Sequence, residues 1–407
     1  MKKVFWLAFL ALACFVLSPA AQAEAQTPIK IGVISPVTGN YGDHGLTERN
    51  GMEMALKELG GKILGRPVEL VVDDDETNPD AAARKVRARA ERDGIKIYMG
   101  GVSSSTALAI APVVQEFGGL YFATNPNGDT ITSTQAVRNV FRSPPNMSSL
   151  ARAATNYAID NLGKKFFFIT HDYSWGHSGT QWARDVLKKR GGTEVGEIKV
   201  PMGTSDFSAQ LLQIRNSGAE VLMITCAGFD NVALLKQMAE YKIHDVIKVV
   251  YTLEDFIDSY NLGPEVQHGY SATEVFWNET PKMEAASKKY GELFPNAPFP
   301  VFDCTNYNGY LAIMALNEAA EKAGTVDDIP KLIQALEGLE LKDNLRNEPS
   351  VFDARTHQLL SKVVMIEKNP KATGLAMWKV IDIIDATKYE MTREENPIDL
   401  TKEPFKK

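Results

Sequence analysis

Residues Met99 to Thr106 read Met-Gly-Gly-Val-Ser-Ser-Ser-Thr, between the short apolar run Ile95 to Tyr98 and the apolar segment Ala107 to Phe117. A strand, a turn and a helix start in that order leave free N–H groups beside Ser103, Ser104 and Ser105, which suits a carboxylate or another small anion. Plain capping of the helix by serine is the competing reading. Asp73-Asp74-Asp75-Glu76 offers carboxylate oxygens to a hard cation, but it lacks the alternating spacing and central glycine of an EF-hand loop. Its place just before Pro79 fits helix-dipole complementation and solvation instead. Gly176-His177-Ser178-Gly179-Thr180 nearly makes the nucleophile elbow G-x-S-x-G, yet the last glycine is Thr180 and the segment follows a polar loop. The six histidines, His44, His171, His177, His244, His268 and His357, show no H-E-x-x-H spacing, and neither a Walker loop nor G-x-G-x-x-G occurs. The expected chemistry is therefore binding, with no catalytic residue, metal or cofactor, and with His171 and His177 as polar contacts.

The elements that would position these groups alternate between strand and helix. Strands are expected at Lys30 to Ser35, Pro67 to Val72, Ile95 to Tyr98 and Leu120 to Ala123. Between them fall helices, the first marked by Met52, Ala55, Leu56 and Leu59 at helical spacing and ended by Gly60-Gly61. A second series begins near Asn146, with strands at Lys165 to Thr170, Thr193 to Val200, Glu220 to Thr225 and Val246 to Tyr251. Later helices are read at Lys282 to Leu293, Asn306 to Ala323 and Ile329 to Leu336, before strands at Leu359 to Glu367 and Ala376 to Ile381. This is the pattern of parallel, doubly wound α/β sheets, whose ligands sit beyond the carboxyl ends of the strands. Residues 392–407, charged and Pro-containing, read as a loose tail.

Composition sets the compartment and excludes some classes. Lys2 and Lys3, an apolar run from Val4 to Leu17 and Ala21-Gln22-Ala23 form a secretory leader with an A-x-A cleavage site, removed near Ala23. A rival reading makes Cys14 a lipid-modified residue. No later segment approaches the roughly 20 apolar residues of a membrane span. The formal net charge of −7 gives no reason to expect nucleic acid as a partner. Cys226 and Cys304 are expected as unpaired, buried thiols.

The leader, Lys30-Ile-Gly-Val-Ile-Ser-Pro-Val-Thr-Gly-Asn-Tyr-Gly-Asp, Gly101-Val-Ser-Ser-Ser-Thr, His171-Asp-Tyr-Ser-Trp-Gly and Thr204-Ser-Asp-Phe-Ser together resemble the periplasmic Leu/Ile/Val-binding proteins of ABC transporters. The resemblance runs from about Pro28 to about Ala386. It implies a type I periplasmic-binding-protein fold, two doubly wound lobes joined by a three-crossing hinge. Residues 27–146 and 270–350 would form lobe I, and residues 147–269 and 351–391 lobe II. It also implies a cleft that closes on a small solute and a closed form that docks on an inner-membrane permease. In the ligand-binding set, the resemblance places Val102, Ser103 and Ser104 with Thr124, Asn125 and Asn127 at the ligand carboxylate. Tyr41, Tyr173, Trp175 and Phe229 serve as aromatic walls, and Glu254 pairs the ammonium. Asn125-Pro-Asn-Gly and Cys226-Ala-Gly-Phe depart from the family's usual residues, which keeps aromatic acids, amides and urea-like solutes beside amino acids. A sensor for a signalling partner is the second class, and an exported hydrolase built on Ser178 the third.

Overall fold

The structure is a computed structural model, and it describes residues 27–405 apart from Ala386. The leader and Cys14 lie outside the described residues.

The first lobe opens with strand β1 (Ile29–Ser35), helix α1 (Gly42–Glu58), the short β2 (Lys62–Ile63), β3 (Arg66–Asp74), α2 (Pro79–Asp93), β4 (Ile97–Gly100), α3 (Ser104–Glu116), β5 (Leu120–Ala123) and β6 (Val140–Arg142). The strands form one sheet in the order β2-β3-β1-β4-β5-β6, parallel except for β2. Local chemistry places the helices between them. Asn78 caps α2 by accepting the Ala81 N–H, Pro79 fills the first turn, and Gly94 ends the helix in the left-handed conformation at φ 65°.

The second lobe follows as α4 (Met147–Asn161), β7 (Lys165–His171), α5 (Ser174–Lys189), β8 (Thr193–Val200), α6 (Ser208–Arg215), β9 (Val221–Thr225), α7 (Phe229–Glu240), β10 (Lys248–Tyr251), the single turn α8 (Phe256–Ser259) and β11 (Tyr270–Thr273). The chain then returns to the first lobe as α9 (Pro281–Leu293), α10 (Cys304–Ala323) and α11 (Ile329–Leu336). A small antiparallel sheet of β12 (Glu340–Leu341), β13 (Ser350–Phe352) and β14 (Leu359–Leu360) comes next. Finally β15 (Val363–Lys368) and β16 (Trp378–Ile384) complete a seven-stranded sheet, β16-β15-β11-β10-β9-β7-β8, with its last two strands antiparallel.

Helix α10 is buried almost along its length because it lies against α1 backbone to backbone. A Cβ at Gly51 would overlap the Asn306 carbonyl, and one at Gly309 would overlap the carbonyl of Glu48, so glycine at both positions permits the contact. Asp303 fixes the start of α10 in a capping box with Asn306.

The expected lobe boundaries shift in two places. Tyr270–Thr273 pairs with β10 and β15 and so belongs to the second sheet, whereas Phe352 and Leu359 pack in the first lobe's core. The expected loose tail is instead docked. Glu390 accepts hydrogen bonds from Asn146 and Ser149 of the second lobe, after which Asn396 donates to the Thr132 carbonyl and Leu400 buries completely against the first lobe. Arg355 donates to the carbonyls of Asn396 and Ile398, and Arg138 stacks 4.0 Å from the Phe405 ring. The chain thus crosses between the lobes a fourth time. The apolar Leu400 and Phe405, spaced along an otherwise charged segment, are the residues that hold it there.

Candidate functional site

The loops beyond the carboxyl ends of both sheets face each other and enclose a cavity of about 30 Å³. Its lining comes from the first lobe through Tyr41, His44, Val102, Asn125, Asn127, Cys304 and Thr305. The second lobe and the crossing after β11 add Tyr173, Trp175, Ala227, Leu253, Asp255 and Glu274. Tyr41, just before α1, meets Tyr173, just before α5, hydroxyl to hydroxyl at 2.9 Å. Burial first, then their mutual proximity, drives the Tyr41 phenol well above its ordinary range, so both rings are neutral donors and acceptors. Trp175 stacks on Tyr173 with ring centroids 6.0 Å apart.

Of the residues singled out from sequence, Tyr41, Val102, Asn125, Asn127, Tyr173 and Trp175 come together around this cavity. The others have different positions. Ser103 caps α3, its hydroxyl accepting the Ser105 N–H at 3.2 Å, and the Ser104 hydroxyl accepts the Gly128 N–H at 3.0 Å. Thr124 donates to the buried Glu48 carboxylate, which also takes Ser35 and Asn125. Phe229 stands 52% exposed at the start of α7, its ring in an outer groove with Ser205, Lys236 and Gln237. It forms no wall of the cavity. Glu254 turns into the second lobe, where it pairs with the buried Lys368 ammonium at 2.9 Å and accepts the Ser259 hydroxyl at 2.8 Å. Its neighbour Asp255 faces the cavity instead.

Two acids and one histidine at the cavity were not among the expected site residues. Glu274 accepts from Asn127 at 2.7 Å and from Asn308, and complete burial raises its carboxyl to about 8 despite these donors. His44 lies 3.5 Å from Asp255 and 3.6 Å from Asp258. Burial opposes its charge, but the two acids lift it to about 9. Asp258 is raised to about 7, mainly by burial. The Cys304 thiol donates to Asp255 at 2.9 Å, and both Cys226 and Cys304 are free and buried. No sequence signal separates Asp255 from its neighbour Glu254, and none marks Glu274, because the strand before it carries little apolar signal.

The remaining motifs have local partners. Ser178 and the Trp182 indole both donate to Asp129, while His177 pairs with Asp172 at the surface, so no histidine reaches Ser178. His171 bonds Asp230 at 2.8 Å. Asp73 is clamped by Arg89, and Asp74 accepts the N–H groups of Val37 and Glu76. No helix among the described residues is long and apolar enough to cross a membrane.

Comparison with known proteins agrees with this architecture. Residues 28–373 match the family described as periplasmic binding protein. A Leu/Ile/Val-binding protein homolog 3 of Brucella melitensis is 26% identical over 81% of this chain and 89% of its own length. A homolog 8 of Brucella suis is 28% identical over 80% and 84%. A crystal structure of a periplasmic binding protein from Burkholderia mallei superimposes with a TM-score of 0.85 at 26% identity, covering 92% of this chain and 99% of that one. A Rhodopseudomonas palustris solute-binding protein in complex with 3,4-dihydroxybenzoic acid shares the fold at 21% identity and a TM-score of 0.80, over 89% of this chain and 98% of its own. Two doubly wound lobes, a cavity between their facing loops and a family match across most of the chain lead to one statement: this chain belongs to the periplasmic binding protein family.

Proposed function

We propose that this protein is exported by its leader, captures a small amino-acid-like solute between its lobes and presents it, closed, to an ABC permease. The observation that carries the reading is the lining itself. Asp255 and Glu274 face a cavity walled by Tyr41, Tyr173 and Trp175, and no lysine or arginine is among the described residues that line it. Asp255, which His44 approaches at 3.5 Å, and Glu274 present carboxyl oxygens that suit an ammonium or another donor group. Val102, in the turn that leads into α3, brings backbone to the cavity wall close to a helix start, a place that suits a carboxylate. The names of the Brucella relatives support an amino acid.

A small amide or urea-like solute is the second reading, and cavity size favours it. About 30 Å³ admits a few non-hydrogen atoms, so a leucine side chain requires the Trp175 or Leu253 wall to move. Melting of the stripped mature protein against amino acids, aromatic acids, small amides and urea separates the readings. A solute at a hundred times its dissociation constant stabilises by about 2.7 kcal/mol. A shift with leucine, isoleucine or valine supports the first reading. One confined to compact amides supports the second, and one confined to aromatic acids overturns both.

A further inference from the structure

At the cavity floor, His44 from the first turn of α1 faces Asp255 and Asp258 from the loop and short helix after β10. One ligand atom from each lies within 4.8 Å of the others. The Nε2 of His44 is 3.5 Å from Asp255 Oδ2 and 3.6 Å from Asp258 Oδ1, and the three side chains are 5%, 12% and 3% exposed. Direct hydrogen bonds between such groups would be 2.7 to 2.9 Å long. Two ligands of one tetrahedral ion with bonds of about 2.0–2.1 Å stand about 3.3 Å apart, close to what is found. His44 Nε2, though buried, has no hydrogen-bond partner.

The unused oxygens are held from behind. Asp255 Oδ1 accepts the Cys304 thiol at 2.9 Å, and Asp258 Oδ2 accepts the Gly228 N–H at 2.9 Å and the Asn231 amide at 3.0 Å. Each carboxylate is thereby oriented with its other oxygen toward the imidazole, the support that metal-ligating side chains ordinarily receive.

We propose that His44, Asp255 and Asp258 bind a divalent cation of the zinc class between the two lobes, with an open coordination position toward the cavity. One imidazole and two carboxylates match that class better than calcium or magnesium, which take all-oxygen shells. His44 and Asp255 both line the cavity, so the open position meets water or a donor atom of the solute. Only the identity of that donor rests on the solute-receptor reading. Because His44 belongs to the first lobe and the two acids to the second, the ion would join the lobes where the solute is enclosed.

Cobalt(II) serves as probe, added to the chelator-stripped mature protein and followed by visible absorption. One equivalent should give the intense bands of a low-coordinate site. His44→Gln and Asp258→Asn should each weaken binding tenfold or more, and zinc should displace the cobalt where magnesium and calcium do not. Circular dichroism establishes that each variant is folded, and Asp258→Asn, which removes a buried acid, covers the case in which His44→Gln does not fold. Absence of a signal in the parent protein, affinity equal to the parent's in both folded variants, or displacement by calcium overturns the site. The solute panel repeated in chelator reads the receptor function separately: solute binding there, without any cobalt signal, removes the cation and leaves the receptor standing.

Discussion

Tyr41 and Tyr173, 132 positions apart in sequence, join hydroxyl to hydroxyl at 2.9 Å across the cleft. Each stands immediately before a helix of its own lobe, so the contact ties one lobe to the other.

Replacing one hydroxyl should therefore act on closure more than on folding. Tyr173→Phe removes one buried hydrogen bond, worth about 1 kcal/mol, and leaves Tyr41 without its partner, worth about 1–3 kcal/mol. We expect solute affinity to fall about tenfold and the radius of gyration of the solute-free protein to rise in small-angle scattering. Unchanged scattering and unchanged affinity together would rule out a latch.

Glu254 and Asp255 are adjacent, but their substitutions should fail in different ways. Glu254→Ala strands the Lys368 ammonium in the second lobe, a loss of about 3–5 kcal/mol in urea unfolding. Asp255→Asn keeps the shape and should lower solute affinity by about tenfold with a smaller effect on unfolding. The reverse ordering would return the ammonium role to Glu254.

The buried Glu274 makes stability depend on pH. Its carboxyl is raised from 4.5 to about 8, so the unfolded chain releases this proton at lower pH than the folded protein does. Stability from this group is full below about pH 4.5, declines as pH rises and is lost by about pH 8. Glu274→Gln, which removes the titrating proton and keeps an acceptor oxygen for one of the two asparagine amides, should flatten the urea-unfolding profile across that window. A profile identical to the parent's would show that Glu274 is not held neutral.

The docked tail predicts a stability effect far from the cavity. Leu400 is completely buried against the first lobe, and Leu400→Ala should cost about 2–3 kcal/mol in urea unfolding. Solute affinity measured on the folded protein should stay near that of the parent. A cost below 0.5 kcal/mol, the scale of a surface substitution, would mean that the segment does not pack.

The alternation of strands and helices was legible because apolar runs such as Val221–Thr225 and Phe166–His171 are buried on both faces. The shorter strands were not. Tyr270–Thr273 reads Tyr-Ser-Ala-Thr, with no apolar run to mark it, and missing it displaced the lobe boundary and hid Glu274. At the site, the loop before α5 stood out through Tyr173 and Trp175, large rings in a polar loop, and the turn before α3 through its glycines and serines at a helix start. The single-residue choice between Glu254 and Asp255 did not, since side chains leaving a strand alternate in direction and only packing decides which one turns inward. His44 escaped because its partners lie more than two hundred positions away.

The fourth crossing also decides where a reporter can sense closure. Thr27, whose carbonyl takes Arg66, and Phe405, under Arg138, both rest on the first lobe. Fluorophores attached at Thr27 and at Phe405 would therefore keep a fixed separation. A pair with one member at either of these positions and the other at an outer turn of the second lobe, such as Gly218, would report any movement of one lobe against the other.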